Sequence, residues 1–185
     1  MDFRFTEEEE LFRRSVREFC QKYIEPVWVE IDEKRDIPLD LYRRMADQGL
    51  FGIPIKPEYG GPGGTVTMAA IAVEEIAYAD PSVAVAVYTL LQNGWPLALQ
   101  LFGSEEAKQE ILPRVVKNEA FFGIATTESQ GGSDLGGIKM TATKKDESWT
   151  LNGEKMYISG VGEVEKLPWG GGWWLLARTG PMEQG

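Results

Sequence analysis

Histidine is absent from this 185-residue sequence, and cysteine occurs once, as Cys20. Without histidine no Ser-His or Cys-His nucleophile pair can be built, and the usual zinc ligands are missing, so no metal site is expected. A lone cysteine excludes an intrachain disulfide. Cys20 shares a helical face with Phe12, Val16, Phe19 and Tyr23, which predicts a buried, inert thiol. Basic residues are also few: 19 Lys and Arg stand against 29 Asp and Glu, a net charge of −10. That balance speaks against nonspecific nucleic-acid binding, although local amides and hydroxyls can still hold an anionic cofactor. No run approaches the roughly 20 apolar residues of a membrane helix. The opening MDFRFTEEEE is acidic where a secretory signal is basic, so a cytoplasmic protein is expected.

What is present is an ordinary globular composition, 43% hydrophobic and 26% charged. Thr6 followed by Glu9 predicts a capping box, and the stripe Phe12, Val16, Phe19, Cys20, Tyr23 predicts an amphipathic helix. Pro26 should kink or restart it, with an end near Ile31. Pro38 opens a second helix that Gly49 closes. Thr65 or Thr67 caps a third, apolar nearly all round and so central, with residues 68–78 among the most buried. Its Glu74 and Glu75 read as paired structural charges or an exposed edge. Pro81 begins a fourth helix, which Pro96 restarts, and Ser104 caps a fifth whose last turn begins at Pro113.

From Ala120 the period changes from helical to alternating, as in Ile138, Met140 and Ala142 against Lys139, Thr141 and Thr143. Residues 173–179 read as another strand. The fold class expected is therefore α+β and multi-domain: an all-α domain over residues 1–118, then an incomplete antiparallel β-barrel-like domain over 119–185. Asn152-Gly153 between alternating runs is a strong hairpin signal. On the strand after it, Lys155, Tyr157 and Ser159 would share one face, with Met156 and Ile158 on the other. Beside the loop of Gly131, Gly132, Ser133 and Asp134, that face suggests a platform for a flat, polar-edged cofactor. A surface hairpin with a mobile loop accounts for the same residues.

Several segments, in order, resemble the acyl-CoA dehydrogenase family of flavoenzymes: EYGG, EEIAYADPS, FGSEEAKQEILPRV, ATTESQGGSD and LNGEKMYISG. The resemblance covers essentially the whole chain and favours the platform reading. It implies FAD as cofactor, with Ile124, Ala125, Thr126 and Thr127 at the flavin edge and Gly132 and Ser133 at the phosphates. Ser133 would also lie near the acyl-CoA chain. Tyr157, Ile158 and Ser159 would flank the ring, with the Ser159 hydroxyl on flavin N5. Glu128 and Asp134 read as loop-ordering carboxylates.

The implied activity is α,β-dehydrogenation of an acyl-CoA thioester in fatty acid metabolism, with an electron-transfer flavoprotein as acceptor and a homo-oligomer, dimer or tetramer, as the full-length form. No catalytic residue is assigned here, because the resemblance puts the carboxylate base on a C-terminal helical bundle. The chain alone is accordingly expected to be inactive and to hold FAD weakly. Alternatives are a flavin-dependent oxidase or monooxygenase of the same fold, or a non-catalytic fragment. The sequence departs from the family pattern at Ser129 (usually Pro), Tyr157 (usually Trp) and Ser159 (usually Thr). It also departs in the long stretch VGEVEKLPWGGG after Gly160, which is expected to reshape the acyl pocket or an interface.

Overall fold

Local capping chemistry sets the helix starts. In the computed structural model, which describes residues 4–180, Thr6 Oγ1 accepts from the Glu9 amide at 3.2 Å and the Glu9 carboxylate accepts from the Thr6 amide at 2.8 Å. The outermost residues of the two expected units, 1–3 and 181–185, lie outside the described residues. Helix α1 (Glu7–Tyr23) follows this capping box, the chain turns at Pro26, and α2 (Trp28–Lys34) restarts beyond it. α3 (Leu39–Asp47) follows Pro38, and Gly49 leaves it at φ 74°. Thr65 caps α4 (Val66–Ala79), and Ser104 caps α6 (Glu105–Val116).

Two prolines behave differently from expectation. α5 (Ala84–Phe102) runs unbroken through Pro96, and α6 runs unbroken through Pro113. Pro96 has no N–H for the carbonyl of Gln92, four residues back. That carbonyl instead accepts from the Gly52 amide at 3.1 Å, so the helix continues without an orphaned acceptor.

α4 packs against α1 and α5 through Ala69, Ile71, Ala72, Ile76 and Ala79. The expectation that all of 68–78 is buried needs correction, since Tyr78 is 81% exposed. Glu75 is buried and bound by two arginines of α1, with Arg13 Nε and Arg17 Nε each 2.7 Å from its carboxylate. The thiol of Cys20 is buried beside this pair, and burial pushes it up to about 12, so it is inert.

Among the described residues four strands follow: β1 (Ala120–Ala125), β2 (Thr141–Lys145), β3 (Ser148–Asn152) and β4 (Gly170–Leu175). β1 and β4 pair in parallel, from Ala120 opposite Gly170 to Ala125 opposite Leu175, which corrects the expected all-antiparallel arrangement. β2 and β3 form an antiparallel hairpin. Arg178, beyond β4, joins the two small sheets: its amide donates to the Met140 carbonyl and its carbonyl accepts from Ala142, both at 2.8 Å.

The hairpin turn also sits elsewhere than expected. Lys145 pairs with Ser148, so Asp146 and Glu147 make the turn, with Asp146 at φ 52°. Aspartate tolerates that left-handed conformation well. Asn152-Gly153 instead ends β3. Gly153 sits at φ 145°, where an added Cβ would fall 2.8 Å from Met140 Cα, so glycine serves close backbone approach rather than a turn.

β1 is buried on both faces. Phe121 enters a core built from α1–α5, while Ala120 and Phe122 enter a second cluster with Ile55, Leu99, Leu112 and Val115. Its edge is completed by a side chain: Gln92 Nε2 donates to the Ala120 carbonyl at 3.0 Å, and Gln92 Oε1 accepts from the Phe122 amide at 2.9 Å. A primary amide carries the same donor and acceptor as a peptide group, so α5 supplies β1 with a one-residue strand partner.

Candidate functional site

Thr126 and Thr127 leave the end of β1 half-buried and lead into a tight turn in which Glu128 and Gly131 exchange both backbone hydrogen bonds at 3.1 Å. The buried Glu128 carboxylate accepts from the amides of Lys139 (2.8 Å) and Met140 (3.0 Å), from Gln130 Nε2 (2.5 Å) and from Lys155 Nζ (2.8 Å). The Lys155 ammonium, assisted by these amides, holds the Glu128 carboxyl down to about 2 despite burial. Asp134 accepts from the Gly137 amide at 3.0 Å. Both acids are the loop-ordering carboxylates that the sequence suggests.

The two motif segments meet here. Lys155 Nζ also donates to the Thr126 carbonyl at 3.0 Å, and the Met156 amide donates to the Thr127 carbonyl at 2.9 Å. Residues 155–159 do not form the expected strand. Tyr157 takes φ 57° and breaks the extended backbone, so Lys155 turns inward to Glu128 while the Tyr157 ring is 88% exposed. A bulky residue in the left-handed region is strained, and such strain clusters where a ligand or partner is met.

Ser159 keeps its hydroxyl exposed, and its carbonyl accepts from Trp173 Nε1 at 3.0 Å. Gly160 follows at φ 86°, against the Phe121 ring, where an added Cβ would come within 2.1 Å of a ring carbon. Ile158 and Ser159 line a cavity of about 510 Å³, whose other walls include Val87, Tyr88 and Leu91 of α5, and Phe121. Gly132 folds back toward Thr127, with its Cβ position 3.4 Å from Thr127 Oγ1. Ser133 is exposed on this outer loop, and neither it nor Tyr157 lines the cavity. Thus Thr126, Thr127 and Gly132 form one group, Ile158 and Ser159 a second, and the 155–156 bridge connects them.

Residues 6–119 match the acyl-CoA dehydrogenase N-terminal domain, and residues 123–169 match the acyl-CoA dehydrogenase middle domain. The chain belongs to the acyl-CoA dehydrogenase family. It is 37% identical over 169 residues to the acryloyl-CoA reductase (NADH) of Anaerotignum propionicum, covering 90% of this chain and 42% of that protein. It is 35% identical over 168 residues to the short-chain specific acyl-CoA dehydrogenase of Clostridium acetobutylicum, covering 89% of this chain and 43% of the relative. A glutaryl-CoA dehydrogenase from Mycobacterium smegmatis, solved in complex with FADH2, superposes with a TM-score of 0.78 at 25% identity, over 85% of this chain and 40% of that one. The chain therefore spans about two-fifths of the length of these relatives.

Within this acyl-CoA dehydrogenase-family chain, the departures from the motif pattern have distinct settings. Ser129 is exposed, with its hydroxyl on Gln130 at 3.3 Å. The long stretch after Gly160 folds back as a strap. Val164 and Leu167 pack on the larger core, and the Trp169 amide donates to the Glu119 carbonyl at 2.9 Å. Arg114 lies over the Trp169 ring, and Lys166 pairs with Asp36. Sequence reasoning missed Lys155 as the partner of Glu128, although Lys155 is the one basic residue in the two motif segments. It also missed Gln92, for which the sequence offers no signal: a glutamine inside an apolar helix is legible only once its neighbours are known.

Proposed function

We propose that this chain is the flavin- and acyl-holding portion of an FAD-dependent acyl-CoA dehydrogenase, with segments 124–133 and 157–159 as its cofactor site. The observation that carries the reading is the junction of the two segments at Thr127 and Met156, beside a cavity whose walls include Val87, Leu91 and Phe121. The donor set suits a flavin. Thr126 and Thr127 are half-buried at the junction, Ser133 and Ser159 are exposed on the two segments, and the Tyr157 ring is exposed between Met156 and Ile158.

When bound, FAD supplies the acceptor for hydride from the substrate's β-carbon. The Thr126 and Thr127 hydroxyls bind the polar ring edge, and the Tyr157 ring flanks it. The Ser159 hydroxyl donates to the ring edge at N5, where a preorganised donor favours developing negative charge. Gly132 and Ser133 bind the phosphates, with Ser133 also beside the acyl-CoA. Val87, Leu91 and Phe121 exclude water around the acyl chain. The carboxylate that removes the α-proton is assigned to residues other than these.

The strands after residue 119 belong to a barrel-like second domain, the first domain being residues 1–118. The protein works in the cytoplasm, in fatty acid metabolism, as a homo-oligomer that passes electrons to an electron-transfer flavoprotein.

The test is anaerobic stopped-flow bleaching of the flavin by acyl-CoA in the natural protein that carries this sequence, with FAD content measured in parallel. Ser159→Ala is expected to slow reduction by about 2–4 kcal/mol of barrier while FAD content holds. Ser133→Ala is expected to act through binding of FAD and acyl-CoA. Absence of bleaching by any acyl-CoA overturns the reading, and rapid reoxidation of reduced flavin by oxygen would redirect it to an oxidase.

A further inference from the structure

The cavity beside Ser159 is not uniformly apolar. After Gly160 the strap makes a helix-like turn, in which the Val164 amide donates to the Gly160 carbonyl at 3.0 Å. Residues four apart on such a turn share a side, and Ser159 and Glu163 both line the cavity. Glu163 is half-buried, and its carboxylate has no hydrogen-bond or ion-pair partner among the described residues. A carboxylate withdrawn from water without a partner is costly, and an apolar acyl chain laid against it would withdraw it further.

The other charges on the wall do not answer it. Asp36 is already engaged by Lys166 of the strap. Asp32 and Arg35, both exposed at the end of α2, form no ion pair among the described residues and together add no net charge to the wall. With Asp36 held by Lys166, the charges on the wall sum to one net negative, and Glu163 is the unpaired carboxylate that stands beside Ser159. The Val164–Gly160 hydrogen bond fixes the turn that carries it, and buried Leu167 and the Trp169–Glu119 hydrogen bond anchor the strap beyond it.

Resting on the function proposed above, we propose that Glu163 selects substrates by the far end of the acyl group, and that the preferred thioesters carry a protonated amine there. The Glu163 carboxylate accepts a hydrogen bond from the ammonium, and the walls of Val87, Leu91 and Phe121 hold the methylenes between. Discrimination arises because a plain acyl chain leaves the carboxylate desolvated and unpaired.

The natural protein, loaded with FAD, is compared on 6-aminohexanoyl-CoA and heptanoyl-CoA, which match in heavy-atom length. The amino substrate is expected to have the higher kcat/KM. Glu163→Gln, which keeps shape and removes charge, is expected to lower it at least about tenfold, chiefly through KM. The same change should raise kcat/KM for heptanoyl-CoA, because the plain chain no longer desolvates an unpaired charge. Glu163→Leu should reverse the preference, and dissociation constants from titration calorimetry should follow the same order. If heptanoyl-CoA bleaches the flavin and the preference is the same in all three proteins, the inference is overturned while the proposed function stands. If no acyl-CoA of either kind bleaches the flavin, both fall.

Discussion

Lys155 Nζ lies 2.8 Å from Glu128 Oε1, with the two side chains only 6% and 4% exposed. One residue comes from each motif segment, so this ion pair fixes the distance between them. Removing one partner strands a buried charge, unlike the loss of a surface pair. Lys155→Met is therefore expected to lower the melting temperature by about 5 °C or more, whereas Arg44→Met, which breaks the exposed Arg44–Asp40 pair, should stay within about 2 °C. Equal shifts in the two proteins would remove the pair from any special role.

The same pair gives a pH dependence of definite sign. The Glu128 carboxyl is held below its ordinary value, down to about 2, so the folded state binds its proton less readily than the unfolded chain does. The contribution is present above the unfolded value of about 4.3 and is lost as pH falls from there toward about 2. Glu128→Gln should be less stable than the parent near neutral pH, with the gap closing below about pH 4. Urea midpoints at several pH values check this, and a gap that is constant with pH contradicts it.

Glu75 is another buried carboxylate, and Arg13 and Arg17 both close on it. Glu75→Ala leaves two guanidiniums facing each other and unties α1 from α4. Because Arg17 remains half-exposed, water recovers part of the loss, and about 2–3 kcal/mol of destabilisation is expected from urea unfolding. The Arg17→Ala variant alone should cost less, since Arg13 still binds the carboxylate.

Gly160 and Gly131 make a contrasting pair. Gly160 combines φ 86° with the Phe121 ring at its Cβ position, whereas Gly131 has nothing within 4 Å. Gly160→Ala should destabilise by about 2 kcal/mol or more and disturb the Ser159–Trp173 hydrogen bond, visible as a shift in tryptophan fluorescence. Gly131→Ala should change stability by less than about 0.5 kcal/mol.

Helix starts were the most legible features, because a capping residue and its partner lie three apart in sequence. Thr6 with Glu9, Thr65 and Ser104 all act as read. Helix interruptions were less legible: Pro96 signals a break, but Gly52, remote in sequence, takes over the stranded carbonyl. Strand pairing was the least legible. The alternation over 141–152 is real, yet Asn152-Gly153 attracted the turn that Asp146 and Glu147 make. Nothing local reports that β1 and β4 run in parallel. For the site, the two segments stand out in the sequence by their resemblance to family motifs, whereas the junction between them depends on contacts of Lys155 and Met156 with residues about 27 to 29 positions away.

Gln92 gives β1 its missing neighbour, and that bridge crosses the point where the sequence changes character. Gln92→Leu would leave the Ala120 carbonyl and Phe122 amide unpaired, and a loss of about 2–4 kcal/mol is expected in urea unfolding. Beyond that number, the bridge bears on modularity. A gene cut near residue 119 would separate β1 from the helix that finishes its edge and leave Phe121's place in the helical core empty. Neither product would inherit a complete interior. Recombination between relatives at that seam should therefore yield working proteins only when Gln92 and Phe121 travel together.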